Sequence, residues 1–163
     1  METKYKILSF VSIVVLLLDQ ATKVFIDRTM EIHSSITVVK NFFNITYIRN
    51  KGAAFGFLAE TSFRLPFFIF ISIAAVIVII GIFRKLRPEQ KLTAVALALI
   101  FAGALGNLAD RIRLGEVIDF IYVHWYDHYW PAFNVADSAI CVGVFLLALD
   151  MLQDERSRKS AKS

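Results

Sequence analysis

A chain of 163 residues that is 57% hydrophobic, with a mean hydropathy of +0.61, carries more apolar surface than a water-soluble domain of its length accommodates, so it is read as a protein that needs lipid. Its net charge of +4 comes from basic residues in short blocks, with no basic stripe alternating with exposed aromatics, which excludes a nucleic-acid partner from the expectations. The single cysteine, Cys141, forbids an internal disulfide and has no zinc-site companions; in an apolar helix it reads as a small core residue.

The first element is an apolar run over about 6–26, long enough to cross hydrocarbon as a helix. Lys4 and Lys6 before it suggest a signal peptide, but Asp19, Gln20 and Lys23 stand where small residues would mark cleavage, so a retained helix is expected. Asp19 and Lys23 lie four residues apart on one face, either as a structural ion pair near the interface or as part of a site.

A segment over about 35–58 follows. Ile36 to Val39 and Phe42 to Ile48 are rich in β-branched and aromatic residues, and the second run alternates Phe43, Ile45 and Tyr47 with Asn44 and Thr46, which predicts a small β-sheet on the outer leaflet. Asn50, Lys51 and Gly52 make a turn, and Ala53 to Leu58 is a run suited to the membrane boundary.

Two further spans are expected over about 65–84 and 92–111. At the end of the third, Gly103 and Gly106 permit close helix approach, with Asn107, Asp110 and Arg111 clustered just beyond. Asp110 and Arg111 are expected to pair at the interface, Arg111 reaching to headgroups, while Asn107 and Asp110 brace a neighbouring site. Val117 to Val123 then reads as a strand with Asp119 on the same face as Val117, Ile121 and Val123. Trp125, Tyr126, Tyr129 and Trp130 form an aromatic interface belt. The fourth span, over about 133–152, carries Asn134 and Asp137, and a disordered tail is expected over about 155–163.

Four spans put both termini on one side. Lys4 and Lys6, then Arg84, Lys85, Arg87 and Lys91, then Arg156, Arg158, Lys159 and Lys162 mark that side as cytoplasmic. The expected fold is a single domain over 1–163, an integral membrane protein that is mainly α, with four transmembrane helices and a small extracytoplasmic β-sheet.

A charge within a span costs about 2.5 to 3.5 kcal/mol, so each one calls for a partner or a task. Asp137 lies about one turn into the fourth helix with no Lys or Arg in that span. The segment from His124 to Pro131 is long enough to return Asp119 to the same level. Two carboxyls in a partly dry cleft share one proton, the arrangement of aspartic proteases: one draws a proton from water while the other supports the carbonyl and then the leaving amine. This chemistry needs no metal and no cofactor, and either aspartate can begin as base. His124 and His128 lack an HExxH pattern and belong with the aromatic belt; Ser138 lacks a base partner.

The blocks Leu18-Asp19-Gln20-Ala21-Thr22-Lys23, Arg49-Asn50-Lys51-Gly52-Ala53-Ala54-Phe55, Gly103-Ala104-Leu105-Gly106-Asn107-Leu108-Ala109-Asp110-Arg111, Val117-Ile118-Asp119-Phe120 and Phe133-Asn134-Val135-Ala136-Asp137-Ser138 occur in the order found in bacterial lipoprotein signal peptidases, or signal peptidase II, which the chain resembles over nearly its whole length. The resemblance implies a membrane aspartic endopeptidase that removes the signal peptide from diacylglyceryl-modified prolipoproteins by cutting before the lipidated cysteine. It implies Asp119 and Asp137 as the catalytic pair, with Asp19, Lys23, Asn50, Gly52, Asn107, Asp110, Arg111 and Asn134 supporting or lining the site, Arg111 and Asn134 placed to meet substrate or the pair. It further implies a monomer in the bacterial plasma (inner) membrane, in contact with membrane lipid, with its site near the outer face, and inhibition by globomycin. Lys51 departs from the small polar residue common at that position and is expected to change loop charge only.

Two other readings compete. A small membrane carrier or proton-conducting protein would need polar groups through the full depth of the spans, whereas the middle of the second and third is apolar. A lipid-binding scaffold would tolerate Asp119→Asn.

Overall fold

The computed structural model describes residues 2–52, 63–126 and 128–160, with side chains described up to residue 153. The boundary run expected over 53–58 lies outside the described residues. The elements in order are α1 (Thr3–Thr29), β1 (Ser35–Val39), β2 (Phe43–Asn50), α2 (Arg64–Lys85), α3 (Lys91–Leu114), β3 (Val117–Trp125), β4 (His128–Tyr129) and α4 (Val135–Ser160). All four helices are long and apolar enough to cross a membrane.

Local chemistry sets several boundaries. Pro66 falls in the first turn of α2, where its missing N–H costs nothing, and Pro88 follows the end of that helix. Gly115 takes the left-handed conformation, φ 74°, that closes α3, its N–H donating to the Arg111 carbonyl at 3.0 Å. At the other end, α4 runs on to Ser160 through most of the expected disordered tail. The residues from Gln153 to Lys159 include no Gly or Pro, and extending a formed helix requires no new nucleus.

α3 is the inner helix: 56% of its most apolar window is buried, against 17% in each of the other three. It packs on α1, α2 and α4, while α2 has no broad contact with α4. Small residues make the α3–α4 seam close. A Cβ at Gly143 would stand 2.7 Å from the Ala96 carbonyl oxygen, and one at Gly103 would collide with the Ala136 carbonyl. The outward faces of the helices, with Phe10, Leu17, Phe70, Ile77 and Phe145 all more than half exposed, are apolar surface for lipid.

The chain passes through the helices so that the C-terminal ends of α1 and α3 and the N-terminal ends of α2 and α4 share one end of the bundle, where the strands lie. The strands form a four-stranded antiparallel sheet in the order β1-β2-β3-β4. Ile26 of α1, Tyr47 of β2 and Ile118 and Phe120 of β3 form the core beneath it. Arg49 of β2 donates to Asp27 of α1 at 2.8 Å, and the Tyr47 hydroxyl also donates to Asp27, which ties sheet to helix. A second core, built on Ile79, Phe83, Leu86, Ala94 and Leu97, closes the opposite end.

Candidate active site

The start of α4 explains how two residues of one block reach a neighbouring strand. The Asp137 N–H donates to Asn134 Oδ1 at 2.9 Å, and the Asn134 N–H donates to Asp137 Oδ2 at 3.3 Å. This is a reciprocal helix cap in which Asp137 occupies the third helical position. The cap uses the oxygen of the Asn134 amide and leaves its nitrogen free to donate to Asp119 Oδ1 at 2.7 Å. Asn134, wholly buried, therefore bonds to both predicted carboxyls at once.

Asp119 is delivered by β3. Between the pairs Ile45↔Ile121 and Ile48↔Asp119 the register shifts, so Thr46 and Tyr47 of β2 oppose Phe120 alone in a β-bulge. Alternation along β3 sends Phe120 to the core, while Asp119 lines a cleft of about 400 Å³ together with Asp137, Asn50, Phe133 and Ile140. Asn50, at the end of β2, donates to Asp119 Oδ2 at 2.9 Å, and its own oxygen accepts the Gly52 N–H at 2.9 Å in a side-chain-closed turn. Burial, reinforced by the negative charge of Asp137, pushes the Asp119 carboxyl up to about 7; the Asn50 and Asn134 donors and Lys23 oppose the rise.

Behind the pair lies a dry polar network. Asn107 donates to Asp137 Oδ1 at 2.7 Å and accepts from Lys23 Nζ at 3.1 Å. Lys23 sits between Asp19 and Asp110, 2.9 Å from each, and all three side chains are fully buried. Asp19 also accepts the Ala136 N–H of α4 at 2.9 Å, and Asp110 accepts the Ile118 N–H of β3 at 3.3 Å. The i,i+4 pair of α1 is thus part of the scaffold that locates both carriers of the carboxyls. Gln20 belongs to the same network, donating to Asp19 at 3.1 Å and Asp110 at 3.2 Å. Sequence reasoning gave it no role; its only signal was its place between Asp19 and Lys23.

Arg111 departs from expectation. Asp110 is taken by Lys23 from inside and by Arg113 at 3.7 Å from outside. Arg111 instead donates to the Gly52 carbonyl at 3.4 Å and lies 4.8 Å from the centre of the Phe68 ring. Consecutive residues on a helix point about 100° apart, so Asp110 and Arg111 serve different neighbours. Cys141 is also misplaced by the sequence reading: it is exposed on the outer face of α4 and lines the cleft one turn beyond Asp137. Lipid accepts an apolar thiol as readily as a core does.

Ser138 donates back to the Asn134 carbonyl of its own helix at 2.9 Å, and His124 and His128 lie on paired strands opposite Tyr129 and Trp125. No group of three or more metal-ligating side chains occurs among the described residues.

A family model described as signal peptidase (SPase) II matches residues 11–153. The chain is 62% identical to the lipoprotein signal peptidase of Geobacter sulfurreducens, over 97% of this chain and 99% of that one. It is 61% identical to that of Geobacter metallireducens, over 96% of both. A solved structure described as a bacterial membrane enzyme superposes with a TM-score of 0.82 at 40% identity, covering 91% of this chain and 88% of that one.

Proposed function

The chain belongs to the signal peptidase II family, and we propose that Asp119 and Asp137 are the pair with which it cuts its substrate. It is a membrane protease that removes signal peptides from prolipoproteins. The finer reading is that the substrate carries a diacylglyceryl group on the cysteine after the cut, and that the cut lies at the outer face of the plasma membrane with both termini in the cytoplasm.

The observation that carries the assignment is the double engagement of Asn134, which holds Asp119 through its amide nitrogen and Asp137 through its backbone N–H. Below about 7 Asp119 holds a proton, which equips it to support the scissile carbonyl and then protonate the leaving amine. Asp137, oriented by Asn107 and its own helix cap, takes the proton from the attacking water. The apolar wall of Phe133, Ile140 and Cys141 excludes bulk water from the cut. The signal-peptide helix of the substrate lies in the bilayer between α2 and α4, a reading supported by the lack of broad contact between these two helices among the described residues. Arg111, tied to Gly52, and Asn50, tied to Asp119, link the turn at 50–52 to the cleft.

The test is cleavage of a diacylglyceryl-modified precursor by purified Asp119→Asn and Asp137→Asn variants. Loss of at least about a thousandfold in turnover by each, with binding of precursor retained, is expected for a pair that acts as a unit. Substantial cleavage by either variant would refute the assignment. Inhibition by globomycin and function as a monomer belong to the same reading.

A further inference from the structure

At the end of the bundle opposite the sheet, a cavity of about 370 Å³ opens between the α2–α3 connection and α4, lined by Arg87, Glu89, Gln90 and Asp150. Asp150 lies within the fourth apolar stretch, three residues before its end at Gln153. A carboxylate at that depth needs a partner. The buried Thr93 of α3 donates its hydroxyl to Asp150 Oδ2, a neutral partner that fixes the carboxylate without supplying a counter-charge. Among the described residues no cation lies within ion-pair distance of Asp150, and Arg87 pairs with neither Glu89 nor Asp150. Gln90 closes the connection that carries Arg87 and Glu89, its side-chain oxygen accepting the Arg87 N–H at 3.0 Å.

Charges of both signs around one half-open cavity, not neutralising one another, suit a ligand that itself carries both. The cavity lies where the apolar spans end, which in a bilayer of ordinary thickness corresponds to the level of the lipid headgroups. We propose that it binds the headgroup of a zwitterionic phospholipid with a primary amine, a phosphoethanolamine lipid, in the leaflet opposite the cleft. The ammonium meets Asp150 and Glu89, and the phosphate meets Arg87. A choline headgroup carries a cation but no N–H, so it forms no charge-assisted hydrogen bond to the carboxylates, and a glycerol headgroup carries the same phosphate but no cation for Asp150. This is a different preference from the general attraction of a basic loop for anionic lipid.

The experiment is native mass spectrometry of the full-length protein released from detergent, titrated with phosphatidylethanolamine, phosphatidylcholine and phosphatidylglycerol of identical acyl chains. The ethanolamine lipid is expected to bind about tenfold tighter than either of the others, the scale of one charge-assisted hydrogen bond. Asp150→Asn, whose amide oxygen still accepts from Thr93, and Arg87→Gln each abolish that preference while the thermal unfolding midpoint stays near that of the parent. Soluble glycerophosphoethanolamine at the same concentration does not displace the lipid. Equal binding of all three lipids, preference for phosphatidylglycerol, a preference that survives both substitutions, or displacement by the soluble headgroup would each overturn the proposal.

Discussion

Replacing Lys23 with methionine tests the polar scaffold directly. The side chain stays unbranched, is slightly shorter and loses its ammonium, which stands 2.9 Å from both Asp19 and Asp110 in the parent, so Asp19 is buried without its counter-ion and Asp110 keeps only Arg113 at 3.7 Å. Removing one partner from a fully buried ion pair costs about 3–5 kcal/mol. For a chain of this length that corresponds to a fall of about 10 °C in the unfolding midpoint. The loss comes from the orphaned carboxylates, so the triple variant Asp19→Asn, Lys23→Met, Asp110→Asn recovers most of it. Thermal unfolding in one detergent, followed by the fluorescence of a thiol-independent dye, reads both. Asn107 also loses its donor, so cleavage by Lys23→Met drops even at temperatures where the protein remains folded. Equal stability of parent and single variant, or a triple variant no better than the single, would refute the electrostatic reasoning and leave packing alone as the role of Lys23.

Gly106→Ala places a Cβ 2.6 Å from Asp19 Oδ2 and is expected to lower stability by about 2–3 kcal/mol in the same assay, whereas Gly81→Ala, with nothing within 4 Å, is neutral or stabilising. Comparable effects at the two positions would contradict the close approach of α1 and α3. Cys141 is the sole cysteine and lines the cleft, so a bulky maleimide in detergent is expected to cut precursor cleavage by about tenfold or more, while Cys141→Ala remains active and becomes insensitive to the reagent. Full activity of quantitatively labelled protein would detach Cys141 from the substrate path.

Much of this architecture was legible because hydrocarbon imposes simple rules: four long apolar runs became four helices, and the β-branched runs around Ile36 and Ile45 became β1 and β2. That Asp119 and Asp137 line one cleft was foreseeable in part, because a charge in a span needs a reason and the segment from His124 to Pro131 is long enough to return Asp119 to that level. Side-chain bookkeeping at the helix ends was harder to see. The Asn134–Asp137 cap resembles a common local motif, but its consequence, a free amide nitrogen for Asp119, depends on a strand that lies 15 residues away. The partner of Asp110 turned out to be Lys23, 87 positions distant, because Gly106 of α3 lets α1 approach closely, while Arg111, the neighbour in sequence, points elsewhere. Asp150 escaped notice because it sits where an apolar run gives way to a charged tail and resembles ordinary interfacial charge.

The central claim is that Asp119 and Asp137 share one proton near neutral pH, and infrared difference spectroscopy during a pH titration measures that proton. On folding, the Asp119 carboxyl rises from 3.8 to about 7, so it favours the folded state at low pH and that contribution fades as pH climbs through about 7. A protonated-carboxyl band is expected to vanish with a midpoint near 7, in step with falling turnover, and to be absent from Asp119→Asn. If no carboxyl titrates in that range, or if the band persists unchanged in both Asp119→Asn and Asp137→Asn, the two aspartates do not form a proton-sharing pair.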